Sequence, residues 1–388
     1  MQKPPRLLVL TGTRAEYGLL HPLLTRLRDH PGFDLRLLAT GTHLSPHHGM
    51  TVGEIEADGF RVDERAEILL ATDSESGVAK SMGLAVILFS EAFVRQAPDA
   101  IVLLGDRFEV LAAAVAAAAL RIPIVHLEGG HLTTGAIDDA MRHAVTKLAH
   151  LHFTAAEAYA RRLRQMGEAA DRVHAVGSTG LDNILTVERW SRERLAADTG
   201  FAFRSPCLLA TFHPATLEQG LSPGEQVETL LDAVAAMPEV SVLFTMPNAD
   251  AGGREVGDRI LRFAADHPER CRVVTSLGRV RYVSAMALVD AVVGNSSSGL
   301  IEGPSFGIGT VNIGSRQDGR LRAASVVDCA LDSTAIADAV RQVLSPEFRQ
   351  GPARAGNPFG DGRAAERIVT VLERTDFATL LDKRFVDA

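Results

Sequence analysis

Cysteine is scarce in this chain: three in 388 residues, at Cys207, Cys271 and Cys329. The count is odd and no CxxC spacing occurs, which argues against a disulfide framework or a thiolate zinc site and favours a reducing compartment, the cytoplasm. Long hydrophobic runs are also lacking. The N-terminal MQKPPRLLVLTG has too short an apolar run for a secretory signal and no small-residue cleavage site. The longest greasy stretch, VLAAAVAAAAL, is broken by Arg121 and Pro123 before it could span a bilayer, and it reads as a helix packed on a sheet. No membrane partner is expected. Positive charge is not in excess either: 40 Lys and Arg stand against 48 Asp and Glu, the formal net charge is -8, and no basic block invites nucleic acid. An anionic ligand must therefore be held by a local cluster of donors. The histidines show no metal-ligand spacing, so no metal is expected.

What is present is a repeated theme. Hydrophobic residues make up 46% and charged residues 23% of a chain longer than one core normally holds, which predicts two domains. RLLVLTG, FDLRLLATG, AIVLLGDR, IPIVHLEGG, LHFTAAE and RVHAVGS alternate with helical segments. CLLATFHP, SVLFTMPN, CRVVTS, LVDAVVGNSSS and GTVNIGS repeat the pattern. Continuous apolar runs of this length suit parallel strands buried on both faces. The expectation is an α/β chain of two doubly wound halves, residues 1–185 and 186–365. Amphipathic helices over 366–388 are expected to pack back on the first half. Ligands in such sheets sit off the carboxyl ends of the strands, so the informative residues are those that follow each run.

Those positions carry the polar chemistry. In TGTRAEYGLL, Arg14 opens a helix and suits an anion, or else a surface ion pair. In LLGDRFE, Asp106 and Arg107 end a very apolar strand, where a carboxylate is paired, used, or caps the next helix. In HLEGGHLTTGAIDDAMRHAVTK, Glu128 follows a strand while Asp138 and Asp139 open the next helix. Converging carboxylates can divide proton-transfer roles when their environments separate their pKa values. Asp139 also suits the helix dipole, and Arg142 and His143 can pair with these acids. His213 in TFHPAT sits on a rigid post-strand loop before Pro214. His43 occupies a comparable loop with weaker support.

GNSSSGLIEGPSFG is the densest stretch. Ser296, Ser297 and Ser298 offer hydroxyls and backbone N–H groups at a helix start, an anion cradle suited to phosphates. Glu302, one turn on, could accept from ribose hydroxyls, and Arg316 follows the next strand. The plainer alternative is a serine-rich helix cap with a surface glutamate; position between two strand ends favours the cradle.

Together TGTRAEYGLL, GDRFE, HLEGG, GAIDDAMRHAVTKLAHLHF, TFHP, NADAGGR, GNSSSGLIEGPSFG and NIGSRQDGR resemble the hydrolysing UDP-N-acetylglucosamine 2-epimerases. The likeness is greatest to the sialic-acid branch and its relatives in legionaminic acid synthesis, and it runs from residue 11 to about 320. It implies a GT-B-like fold of two Rossmann-like domains with an interdomain cleft, a nucleotide-sugar substrate, no cofactor or metal, and a homodimer or homotetramer. It assigns acid/base work to Asp106, Glu128 and Asp138, a cleft role to His213, and nucleotide contacts to Arg14, Arg107, Ser296, Ser297, Ser298, Glu302 and Arg316. The residue after EGG, often acidic in that family, is His131, which leaves the hexosamine open, as is the choice of uridine or guanosine. The rival readings are a non-hydrolysing 2-epimerase, a GT-B glycosyltransferase and a non-catalytic nucleotide-sugar sensor.

Overall fold

The computed structural model describes residues 3–46, 49–70, 74–132, 137–214, 221–247 and 252–387. The chain divides into two compact units, one of Met1–Asn183 with Phe359–Ala388 and one of Ile184–Pro358. The first holds the strands β1 (Arg6–Thr11), β2 (Asp34–Thr40), β3 (Glu64–Ala66), β4 (Ala100–Leu104), β5 (Ile124–Leu127), β6 (Leu151–Thr154) and β7 (Val173–Ala175). They form one sheet in the order β3-β2-β1-β4-β5-β6-β7, every pair parallel. The second holds β8 (Cys207–Thr211), β9 (Ser241–Thr245), β10 (Cys271–Val274), β11 (Ala291–Gly294), β12 (Gly309–Ile313) and β13 (Val326–Cys329). Their order is β10-β9-β8-β11-β12-β13, again all parallel.

Alternation along the strands explains why the runs are apolar throughout. Leu7 and Val9 of β1 pack with Ile368 and Leu372 of the helix Ala364–Glu373 on one face of the sheet. Leu8 and Leu10 meet Phe89 and Phe93 of the helix Glu75–Gln96 and the alanines of Phe108–Ala119 on the other. In the second unit Leu208 and Ala210 face Leu230, Ile260 and Val340, while Cys207 and Leu209 face Phe203, Leu195 and Met286. A strand covered on both faces has no polar side to show. The Asp182 carboxylate accepts from the backbone N–H groups of Ala364 and Ala365 at 2.8 and 2.7 Å, capping the returning C-terminal helix. That helix ends at Glu373, and turns follow it.

VLAAAVAAAAL is not the longest apolar helix. Among the described residues, Ser76–Gln96 has the length and hydropathy of a membrane span, with a third of its apolar window buried. Its inward face is Ala85, Phe89, Ala92 and Phe93, whereas Val78, Ile87 and Val94 are 41%, 58% and 66% exposed.

The two sheets reverse strand order between β1 and β4 and between β8 and β11. Each reversal parts the loops that follow the strands, the point where doubly wound sheets bind ligands. In the second unit the parting is tight. Gly294 closes β11 at φ +135°, where a Cβ would stand 1.9 Å from the Thr211 carbonyl oxygen. No L side chain fits there without separating β8 from β11. Gly294→Ala is therefore expected to destabilise the second unit by about 3 kcal/mol or more in denaturant unfolding; a loss below about 1 kcal/mol would contradict this account of the turn.

Candidate functional site

The first unit gathers its charge at the reversal between β1 and β4. Thr13 caps the helix Arg14–Asp29, and Glu16 returns its Oε2 to the backbone N–H groups of Gly12 and Thr13, at 2.7 and 3.1 Å. Arg14 points elsewhere: its guanidinium pairs with Glu54 at 3.0 Å on the surface. The carboxylate of Glu109, from the helix that follows β4, is wholly buried and accepts from Arg107 Nε at 2.6 Å. Glu16 Oε1 lies 3.9 Å from the same Nε. Glu16 Oε1 and Glu109 Oε2 are both buried without a hydrogen-bond partner among the described residues. Burial first, and then the charge of Glu109, push the Glu16 carboxyl up to about 7.

A second group forms where β4 and β5 end. Asp106 pairs with the guanidinium of the buried Arg142, which also donates to the His131 carbonyl at 2.7 Å and to Asp139 Oδ1 at 3.1 Å. His143 lies 3.5 Å from the other oxygen of Asp139. Glu128 stands at φ +62°, a left-handed position that turns its side chain back over the strand ends. Its Oε1 accepts from Ser178 Oγ at 3.0 Å, Thr179 N at 2.8 Å and Thr179 Oγ1 at 3.2 Å, and its Oε2 faces His131 Nε2 at 3.0 Å. Burial opposes its charge, but the hydrogen bonds from His131, Thr179 and Ser178 outweigh burial and hold the carboxyl below its ordinary range.

Asp138, at the start of the helix Ile137–Leu148, differs from both. It makes no hydrogen bond among the described residues. Partial burial, and then the charge of Asp106, raise its pKa, while Arg107 and Arg142 pull the other way. A carboxylate with an elevated pKa and free oxygens can take and return a proton; one held by four donors cannot do so without losing them. The histidines nearby are structural. His43 is buried between the hydroxyls of Thr11 and Thr51, at 3.0 and 2.8 Å, and burial lowers its pKa to about 4. The ring of His131 lies on Tyr159 with centroids 4.2 Å apart.

At the reversal of the second unit, Asn295 is the hub. Its side-chain amide pairs with the His213 backbone, accepting from the N–H at 2.7 Å and donating to the carbonyl at 2.8 Å. Its own carbonyl accepts from Arg316 Nη1 at 3.0 Å and Gln317 Nε2 at 2.8 Å. One residue thus locks the loops after β8, β11 and β12 together. Ser296 caps the helix Ser297–Ile301 by accepting from Ser298 N at 3.4 Å. Ser298 is committed to Tyr282 and to Glu302 Oε2, the latter at 2.9 Å, and burial pushes the Glu302 carboxyl up to about 7. The Ser297 hydroxyl has no hydrogen-bond partner among the described residues. With so short a helix the dipole is small, so any anion here must be bound by hydroxyls, backbone N–H groups and Arg316.

The structure therefore brings Asp106, Arg107 and Asp138 together, sets Glu128 close by within its donors, and groups His213, the serines, Glu302 and Arg316 in the second unit. It does not bring Arg14 into either group. Sequence reasoning missed Glu16, Glu109, Asn295, Gln317 and Tyr282. The T-x-x-E spacing of Thr13 and Glu16 was a legible capping signal, and Glu109 and Asn295 stood inside motifs read for their neighbours.

Glu16 yields a test. Its ordinary value is 4.5 and its folded value about 7, so its contribution is neutral below pH 4.5, turns progressively unfavourable as pH rises from 4.5 to 7, and levels off above that. Glu16→Gln keeps the acceptor for Gly12 and Thr13 and removes the charge. Relative to wild type, the variant is expected to gain on the order of 1–3 kcal/mol between pH 5 and pH 8 in denaturant unfolding. Parallel stability curves would show that Glu16 carries no such burden.

The sequence profile of the UDP-N-acetylglucosamine 2-epimerase family matches residues 25–373. The GDP/UDP-N,N'-diacetylbacillosamine 2-epimerase (hydrolyzing) of Campylobacter jejuni is 36% identical over 383 residues, covering 98% of this chain and 99% of that one. The UDP-N,N'-diacetylbacillosamine 2-epimerase (hydrolyzing) of Legionella pneumophila is 37% identical over 95% of each chain. Among solved structures, UDP-GlcNAc 2-epimerase from Neisseria meningitidis bound to UDP-GlcNAc superposes with a TM-score of 0.79 at 19% identity, covering 95% of this chain and 100% of that one. The two Rossmann-like domains are thus the GT-B-like fold of these enzymes, and the chain belongs to the UDP-N-acetylglucosamine 2-epimerase family.

Proposed function

We propose that this chain, a hydrolysing nucleotide-sugar 2-epimerase, acts on a UDP-linked 2,4-diacetamido-2,4,6-trideoxyhexose. The names of the relatives at 36% and 37% identity support that sugar over N-acetylglucosamine. The observation that carries the mechanism is the contrast between Asp138, which makes no hydrogen bond among the described residues and has a raised pKa, and Glu128, held below its ordinary range by four donors.

The C2 proton of a glycosyl diphosphate is not acidic while the C1–O bond is intact. As that bond lengthens, C1 gains cationic character and the neighbouring proton can be removed. Ser296, Ser297, Arg316 and the His213 loop steady the departing diphosphate, and each well-placed donor contributes about 2.7–4 kcal/mol where charge develops. Asp138 takes the C2 proton, with the Asp106 and Glu128 carboxylates favouring the cation at C1. Loss of UDP and a proton leaves a 2-acetamidoglycal. Water then adds at C1 and a proton returns to C2 from the opposite face, giving the free 2-epimer and UDP. A glycosyltransferase would need an acceptor, and a non-hydrolysing epimerase would return the nucleotide-sugar. Homo-oligomeric assembly belongs to the same proposal, supported by the uncovered Val78, Ile87 and Val94. A cytoplasmic location is in keeping with the unpaired thiols.

Two sets of variants separate the roles. Asp138→Asn and Glu128→Gln are expected to lose turnover by about 100-fold or more while keeping UDP affinity. Ser297→Ala and Arg316→Ala are expected to weaken UDP binding by about 5-fold or more in calorimetry. Near-normal turnover in Asp138→Asn would remove the acid/base assignment, near-normal turnover in Glu128→Gln would remove its support of the cation, and unchanged UDP affinity would remove the anion cradle.

A further inference from the structure

The buried pair beneath the β1–β4 reversal has no part in the mechanism above, yet it is built with care. Gly12 has no side chain because Glu109 fills the space: a Cβ would stand 2.6 Å from Glu109 Oε1, and one on Gly41 would stand 3.4 Å from the same atom. The Glu109 carboxylate is thereby fixed in a slot of backbone, and among the described residues its one hydrogen bond from a side chain comes from Arg107 Nε at 2.6 Å. The guanidinium is held at its base while its side chain stays 42% exposed.

Arg107 lies within electrostatic reach of both Glu109 and Asp138: the carboxylates of Glu109, Glu16 and Asp138 all raise its pKa against the opposing effect of burial. The groups that face Arg107 are Glu16 on the helix after β1, Glu109 on the helix after β4, and Asp138 on the helix after β5. Those that bear on Asp138 are Asp106, Arg107 and Arg142. Arg142 is already shared among Asp106, Asp139 and the His131 carbonyl. Arg107 is thus the cation whose placement is set from behind.

We propose that Glu109 is a positioning residue for the epimerase reaction: it clamps Arg107 at the end of β4 so that the guanidinium charge bears on Asp138 from a fixed place. The inference rests on the reading that Asp138 moves the C2 proton. The two partners share one sign. Without the Glu109 carboxylate, the guanidinium loses its anchor, bears less on Asp138, and leaves it protonated to higher pH. Without the Arg107 charge, Asp138 keeps its proton to higher pH.

The experiment is the pH dependence of kcat/KM for the full chain carrying Glu109→Gln, Glu109→Asp or Arg107→Gln. One limb is expected to move up by about half a pH unit or more in both Glu109→Gln and Arg107→Gln. It is expected to return towards its wild-type position in Glu109→Asp, where the charge is restored. Lower rates with unmoved limbs would reduce Glu109 to a packing residue and overturn the proposal, as would a limb that moves down in Glu109→Gln. Should Glu109→Gln not fold, Arg107→Gln carries the test alone, because the more exposed residue leaves the slot intact and an unmoved limb still overturns the proposal. Asp138→Asn distinguishes the two levels: wild-type turnover there sinks the reading of Asp138 itself, whereas an inactive Asp138→Asn with unmoved limbs in the other variants sinks only the clamp.

Discussion

Negative charge at the carboxyl ends of β1, β4 and β5 is the constraint on which the rest of the structure depends. Glu16, Glu109, Asp106, Glu128, Asp138 and Asp139 all stand near apolar strands, and each needs a partner, a proton or solvent. The chain meets each need differently. Glu109 takes Arg107, Asp106 and Asp139 share Arg142, and Glu128 takes three donors and His131. Glu16 takes the backbone N–H groups of Gly12 and Thr13, while burial beside Glu109 pushes its carboxyl up to about 7. What remains is Asp138, with no hydrogen bond among the described residues and an elevated pKa.

The second unit solves the complementary problem. A protein of net charge -8 must bind a diphosphate through local donors. In the proposed reading these are neutral hydroxyls, backbone N–H groups and Arg316 rather than a cluster of cations, with Asn295 holding the His213 backbone by its side chain and Arg316 by its main-chain carbonyl. Because Asn295 bonds the His213 backbone and also receives Arg316 and Gln317, three strand-end loops share one fixed point. Burial raises the Glu302 carboxyl to about 7, which lessens the charge opposing an anion as pH falls below that value.

The fold was legible wherever burial on both faces made a strand apolar along its length. β3 and β13 escaped because they are short edge strands, covered less and carrying Glu64, Arg65 and Asp328. The site was legible through its strand-end motifs, but the division of labour within them was not. Sequence cannot say that Arg14 turns to Glu54, that Ser298 is committed to Tyr282 and Glu302, or that Glu128 is enclosed by Ser178 and Thr179 from fifty residues away. Those facts depend on long-range packing. Glu109 was hidden for the same reason: its slot is made by Gly12 and Gly41, far from it in the chain.

The central claim is that the nucleotide leaves as a proton departs C2, and that water completes the exchange. Proton NMR of the products formed in deuterated water, from a panel of UDP- and GDP-linked 2-acetamido and 2,4-diacetamido sugars, examines it in one measurement. The account predicts free sugar with inverted C2 carrying solvent deuterium, released with one equivalent of UDP and fastest from the diacetamido substrate. Products that keep the original hydrogen at C2, or an epimer still attached to its nucleotide, would contradict it.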